Sequence, residues 1–279
     1  MSKLASILLL MLLPISISAQ EDGRLLGHIK HYVEDTYQVQ GESPIFIFRK
    51  IKLFDRQGKA VQEQYWEENK NGQLYIAYTV EYKYDNQGRE VEQMAYYLQP
   101  ADSTYAPSPL YKTSYSEKSY SLTEFDMDGG ILFQQTYQLD SENRKIAAIS
   151  EGGKTTYSYN ADGSLAKRTL FNNQGEAIVT YEYMYDEGNY VVFEILHGSP
   201  SPEEVVGCEG YDKNDNLMVA SRWTFDSNSM EKEREFHYEF DPTGNWTYKM
   251  EYKIVNKNSI LVAASSRELT YYENNEDVK

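Results

Sequence analysis

The chain has 279 residues, 41% of them hydrophobic, enough for one large or two small domains with a real core. Its formal charge of −16 sets it against nucleic acid and anionic lipid as partners. Its one cysteine, Cys208, excludes an intramolecular disulfide, so packing and strand pairing must hold the fold. With no His or Lys beside it, Cys208 reads as a buried small apolar residue and not as a reactive thiol.

The N-terminus reads as a secretory signal. Lys3 forms the charged region, Ile7 to Leu13 the apolar region and Ser16-Ile17-Ser18-Ala19 a small-residue exit, with cleavage before Gln20. Loss of Lys3, the one charge of residues 1–19, moves the formal charge from −16 to −17. The apolar run is too short to span a bilayer and no Cys follows it, so a soluble chain outside the cytoplasm is expected, in the periplasm, at the cell surface or secreted. Residues 20–44 form a lead-in segment in which Leu25, Leu26, Ile29, Tyr32 and Val33 fit helical spacing better than alternation. A short helix and an irregular lead-in both remain open there.

From residue 45 to 279 one β-repeat domain is expected. An aromatic followed by Asp or Asn, two further residues and Gly recurs six times: Phe54-Asp55 to Gly58, Tyr84-Asp85 to Gly88, Phe125-Asp126 to Gly129, Tyr159-Asn160 to Gly163, Phe171-Asn172 to Gly175 and Phe240-Asp241 to Gly244. The Asp side chain accepts backbone N–H bonds two residues on, and Gly takes the left-handed conformation a hairpin loop needs. Four weaker copies place Asn143, Asn189, Asp215 or Ser229 at the Gly position, and the first three tolerate that conformation best. Successive turns lie mostly 12 to 15 residues apart, too close for a crossover helix. The fold class is therefore all-β, an antiparallel meander of these repeats, as an open twisted sheet or one partly closed.

Alternation assigns faces. In 74–84, Leu74, Ile76, Tyr78, Val80, Tyr82 and Tyr84 share one side. Phe236, Tyr238 and Phe240 point in, with Glu231, Glu233, Glu235, His237 and Glu239 out; beyond the next turn Trp246, Tyr248, Met250, Tyr252 and Ile254 point in, with Thr247, Lys249, Glu251 and Lys253 out. The Pro and Ser-rich stretches 99–109 and 197–204 read as surface loops. The last strand, Ile260 to Ser266, is apolar and a poor free edge. It calls for cover by an earlier strand, by segment 20–44 or by a second protomer through edge pairing.

The stretches 82–89, 183–190 and 238–246, with Tyr-Lys-Tyr-Asp-Asn-Gln-Gly at Tyr82 to Gly88, resemble the YD repeats of RHS-type secreted proteins over about residues 45–255. The resemblance implies extended antiparallel sheet at a bacterial surface, used as a shell or as a carbohydrate-contacting face, and transfers no catalytic residue. The exit Ala19-Gln20 resembles exported proteins of Bacteroidetes.

The chain offers no phosphate loop, nucleophile elbow or dinucleotide fingerprint, and no cofactor is expected. His28 and His31 lack the Glu of a zinc-protease motif, and Asp212 to Asn216 lacks the Gly and Glu of a calcium loop, so no metal is expected either. Exposed rings opposite the core face, Tyr75 and Tyr96, are the candidate ligand contacts, because a ring face binds a sugar face through apolar contact. Two functions follow: a non-enzymatic exported protein binding a glycan or a surface protein, or an extracytoplasmic glycoside hydrolase using carboxylates of the row Glu231, Glu233, Glu235 and Glu239.

Overall fold

The computed structural model describes residues 25–41, 43–98, 104–126, 128–185, 190–196, 204–224 and 229–272. Eighteen strands follow one another: β1 (Ile29–Gln40), β2 (Ser43–Phe54), β3 (Ala60–Glu68), β4 (Leu74–Tyr84), β5 (Glu90–Leu98), β6 (Tyr105–Tyr115), β7 (Ser119–Phe125), β8 (Ile131–Leu139), β9 (Lys145–Ser150), β10 (Gly153–Tyr159), β11 (Leu165–Phe171), β12 (Ala177–Tyr185), β13 (Tyr190–Leu196), β14 (Glu204–Tyr211), β15 (Leu217–Thr224), β16 (Ser229–Phe240), β17 (Trp246–Val255) and β18 (Asn258–Tyr271). Each pairs antiparallel with its neighbours in sequence, and β1 pairs with both β2 and β18. The meander therefore closes into an up-and-down barrel. An open sheet is ruled out.

The segment with helical spacing is strand β1 itself. Its apolar residues bury because they lie in the closing seam: Tyr32 is 0% exposed and Ile29 4%. This also answers the demand for cover on the last strand, since β1 lies along β18 from Ile29↔Tyr271 to Gln38↔Ala263. Arg267, 3% exposed, bonds Glu34 through Nη2 at 2.7 Å and Nε at 3.2 Å, and stacks its guanidinium 3.6 Å from the Trp246 ring centre. At the foot of the seam Asn245 bridges the Leu26 backbone at N–H and C=O, both 2.7 Å.

The turns have the geometry their sequence demands. At Asp85 the carboxylate Oδ1 accepts the N–H of Gln87 and of Arg89, each at 2.9 Å, while Gly88 N–H donates to the Asp85 carbonyl and Gly88 sits at φ 76°. The same arrangement recurs at Asp55, Asn69, Asp126, Asp140, Asn172, Asp212 and Asp241. The substitutes Asn143 and Asp215 also take the left-handed conformation, at φ 62° and 63°. Residues 186–189 and 225–228, where two further copies fall, lie outside the described residues.

All of these hairpins but the one at Asn69 carry a one-residue bulge just beyond the turn; at that one the extra residue is Ala77, which sets Leu74 and Ile76 on the side opposite Tyr78 and corrects the common face read for 74–84. Tyr84 pairs with Glu90 and Lys83 with Glu92, leaving Val91 unpaired. That extra residue reverses the faces of the strand that follows. At the last turn Phe240 pairs with Trp246, but Glu239 pairs with Tyr248, Tyr238 with Lys249 and Phe236 with Glu251. The alternation read through Thr247 is therefore corrected: Lys249 and Glu251 point in beside Tyr238 and Phe236, while Tyr248, Met250 and Tyr252 lie outside with Glu239, His237 and Glu235. The 99–109 loop is also shorter than expected. β6 starts at Tyr105, and Pro107 and Pro109 sit in a stretch that pairs with β5 but lies beyond the pairing with β7, where a missing N–H costs no ladder bond. Within 197–204, residues 197–203 lie outside the described residues and Glu204 opens β14.

Tyrosine fills one half of the barrel interior. Tyr65 stacks on Tyr78 at 4.4 Å and Tyr120 on Tyr137 at 4.5 Å, ring on ring across neighbouring strands. Five hydroxyls at one end of the barrel reach the carbonyl of the first residue of the preceding strand: Tyr84 to Ala60, Tyr115 to Glu90, Tyr159 to Lys145, Tyr185 to Leu165 and Tyr238 to Leu217, all between 2.7 and 2.9 Å. A Phe could pack there but could not close the bond. Among these rings Glu63, 7% exposed, pairs with Lys52 and accepts the hydroxyls of Tyr65 at 2.8 Å and Tyr82 at 2.6 Å. Burial pushes its carboxyl up, but Lys52 and then Lys50 outweigh this and hold it below its ordinary value.

Gly88→Val should lower stability by about 1–3 kcal/mol, because a β-branched residue is forced into the left-handed region; unchanged melting would contradict the turn's role. Glu63→Gln should cost about 1–3 kcal/mol by leaving Lys52 without its partner. A carboxyl held low in the folded state contributes stability above its unfolded value, and that contribution fades as pH falls below about 4.5 and through the depressed folded value. Thermal melts from pH 7 to 3 should therefore show a gap between wild type and Glu63→Gln that narrows in acid. A constant gap would count against the pairing.

Candidate functional site: the barrel lumen

The other half of the interior is hollow. Between β11–β18 and β1–β2 lies a cavity of about 600 Å³. Space remains because β14, β15 and β18 offer Gly207, Ala220, Ala263 and Ser265 to it, where the filled half offers tyrosines. Five acids (Glu34, Glu194, Glu209, Glu233 and Glu251) and five bases (Lys50, Arg168, Arg222, Arg234 and Lys249) line it, so the lining is formally neutral inside a chain of charge −16. Phe48, Tyr181, Tyr183, Phe236 and Tyr238 supply ring faces.

One transverse row crosses the wall: Tyr157 on β10, Arg168, Tyr181, Glu194, Gly207 and Arg222 on β15, each directly opposite the next. Arg222 lies flat over Gly207 to pair with Glu194, two strands away. A Cβ on residue 207 would stand 2.8 Å from the Arg222 Nη1, so the glycine is what lets the guanidinium through. Burial pushes the Arg222 guanidinium down, and the Glu194 bond more than restores it to above its ordinary value. Arg234 reaches Glu251 at 3.4 Å, and Lys50 stands 3.9 Å from Glu34. Arg168 is held differently, its guanidinium 4.2 Å from the Tyr181 ring centre. Its Nε is buried with no hydrogen-bond partner among the described residues. Burial holds the Tyr181 and Tyr183 hydroxyls protonated, above their ordinary range.

The structure separates the residues that alternation had grouped. Tyr75 sits opposite Glu67, on the same side as Tyr65, and bonds it at 3.0 Å; Tyr96 sits opposite Thr79 and Pro107, on the outer side. The two tyrosines make no common platform. The glutamate row breaks at a bulge, since Ala220 pairs with Arg234 and Ser221 with Lys232, which turns Glu233 toward the lumen while Glu235 and Glu239 stay outside. Lys232 holds the Glu235 carboxyl below its ordinary range, the opposite of what a general acid needs. Cys208 is half-buried, more open than its sequence context suggests. His31 bonds Thr270, Asp212 forms a repeat turn, and among the described residues no three His, Cys, Asp or Glu side chains are grouped to hold a metal. The lumen row itself was hidden from alternation because its charged members read as solvent-facing positions. Gly207, a glycine in mid-strand, was the one available signal of close approach.

The outer wall is polar at mid-strand. Arg49 pairs with Asp35 at 2.6 Å, Lys167 with Glu182 at 2.6 Å, and Lys112 with Glu92 at 3.6 Å. The most exposed large apolar residues, Ile131, Leu132, Met184 and Ile260, stand near strand ends. A lipid-facing barrel needs the reverse, an apolar belt about 25 Å tall in which a central Lys or Arg costs about 2–4 kcal/mol. Among the described residues, no helix is long and apolar enough to cross a membrane.

No protein-family model and no curated protein matches the chain. Among solved structures it is similar to a porin-like protein from Bacteroides uniformis, at 11% identity over 88% of this chain and 99% of that one, with a TM-score of 0.46. A protein of unknown function from Bacteroides fragilis matches at 20% identity over 43% of this chain and 91% of that one, TM-score 0.29. A second porin-like protein, from Bacteroides vulgatus, matches at 10% identity over 88% and 99%, TM-score 0.27. At these scores the names describe those proteins alone.

Proposed function

We propose that this chain is an exported, non-enzymatic β-repeat barrel that binds a glycan in its lumen. The observation that carries this reading is the cavity: its volume falls in the range of small-ligand sites, and its lining combines ring faces with forked hydrogen-bonding groups. Rings stack on the apolar faces of a sugar, while Arg and Glu side chains meet its hydroxyls. A formally neutral lining suits such a ligand better than a strongly charged one. The signal-like N-terminus and the YD-type repeats support a place outside the cytoplasm, and the charged outer wall supports a barrel standing in water.

The mature chain, applied to a glycan array, should bind without turning its ligand over. Tyr181→Ala and Tyr183→Ala should each weaken binding at least tenfold, while Tyr96→Ala on the outer wall leaves it unchanged. Binding that ignores both lumen substitutions would move the site to the outer surface or to a protein partner. Hydrolysis of a bound glycan that disappears in Glu233→Gln or Glu235→Gln would establish the carboxylate-dependent glycosidase in place of this reading.

A further inference from the structure

The charges of the lumen are not evenly answered. Arg222 has Glu194, Glu209 and Glu233 acting on it, and Arg234 has Glu251. Arg168, by contrast, is surrounded by Tyr157, Tyr181 and Tyr183, and no carboxylate pairs with it among the described residues. Its ring contact with Tyr181 fixes the plane of the guanidinium, and its Nε is a buried donor with no acceptor among the described residues. Glu209 and Glu233 lie beyond Glu194, on β14 and β16, and Glu194 itself stands two strand spacings from the Arg168 fork, about 10 Å away. That is the span of about two sugar rings.

Resting on the lumen reading, we infer that the ligand is an acidic saccharide, with Arg168 binding its carboxylate and the Glu194, Glu209 and Glu233 end accepting its hydroxyls. A guanidinium matches a carboxylate with two parallel N–H···O bonds, so an acid group would take up the donor that the protein leaves over. Tyr181 and Tyr183, which line the cavity with it, can pack on the ring that carries the acid. The acidic exterior repels any anion at long range, so selection for the carboxylate has to arise inside the lumen, where Lys249 offers a point charge over the Phe236 ring and Arg168 offers the fork.

The test compares uronate- and sialate-bearing oligosaccharides with their neutral methyl esters by titration calorimetry on the mature chain. Wild type should favour the acids at least tenfold. Arg168→Gln should bind acid and ester alike, and Arg168→Lys, which keeps the charge but loses the fork, should retain part of the preference; melting curves of both variants confirm that they are folded. Equal affinity of wild type for acids and esters overturns the role of Arg168 yet leaves a lumen glycan site standing, provided Tyr183→Ala still abolishes binding. A preference for acids that survives in Arg168→Gln, or no acidic saccharide bound at all, overturns the inference. Acid binding that Tyr183→Ala leaves intact removes the lumen site itself.

Discussion

The closure of β1 on β18 is the constraint from which the rest follows. A meander of eighteen short strands has two free edges and a hydrophobic face with nothing opposite; joined at the seam it has neither. The seam is held by ladder bonds, by Tyr32 packed beneath it and by the buried Arg267–Glu34 pair, with Trp246 against the guanidinium. Removing one partner of a buried pair leaves a charge without compensation, typically a loss of about 3–5 kcal/mol. Glu34 also lines the lumen. The element that closes the barrel therefore sets one wall of the site.

Within that closed wall the repeated turn does two jobs. Its Asp or Asn and its left-handed fourth residue reverse the chain, and its bulge shifts the faces of the next strand by one residue. Six of these bulges lie at the end where tyrosine hydroxyls bond the carbonyls of the preceding strand, and those after the Asp126 and Asn172 turns lie at the other end. This gives the Tyr content a cause beyond wetting: at these positions the ring packs and the hydroxyl donates to a backbone carbonyl of the preceding strand.

How much of this was legible in the sequence depends on how local the cause is. The turns at Asp55, Asp85, Asp126 and Asp241 were readable because five residues contain all of their physics, and turn spacing then forced antiparallel neighbours. The need to cover Ile260 to Ser266 was readable from composition, and segment 20–44 stood among three candidate covers; which of the three does it was not readable, since Glu34 and Arg267 meet across 233 residues. Residues 29–40 misled for a definite reason. A bulge between Ile29 and His31 puts the buried Ile29 and Tyr32 on one face three residues apart, a spacing that imitates a helix. Faces beyond most turns were misread for the same reason, that one unpaired residue such as Thr247 is invisible to a period of two.

The same misreading concealed the site. Charged residues that alternate with apolar ones are ordinarily assigned to water, and in a flat sheet Lys249, Glu251, Arg168 and Glu194 would face it. A closed barrel has a second wet surface, its lumen, and there such residues are neither core nor exterior. Their pairing follows from the geometry of that enclosure. Where small residues such as Gly207 leave space, long side chains lie down and reach across two strands, as Arg222 does to Glu194; where the neighbours are tyrosines, as around Arg168, a guanidinium stacks and pairs with no carboxylate among the described residues. Tyrosine ladders thus close half of the interior, and the small residues Gly207, Ala220, Ala263 and Ser265 on β14, β15 and β18 open the other half. The identity of the small residues determines where a ligand fits, and the placing of the arginines determines which end of it is bound.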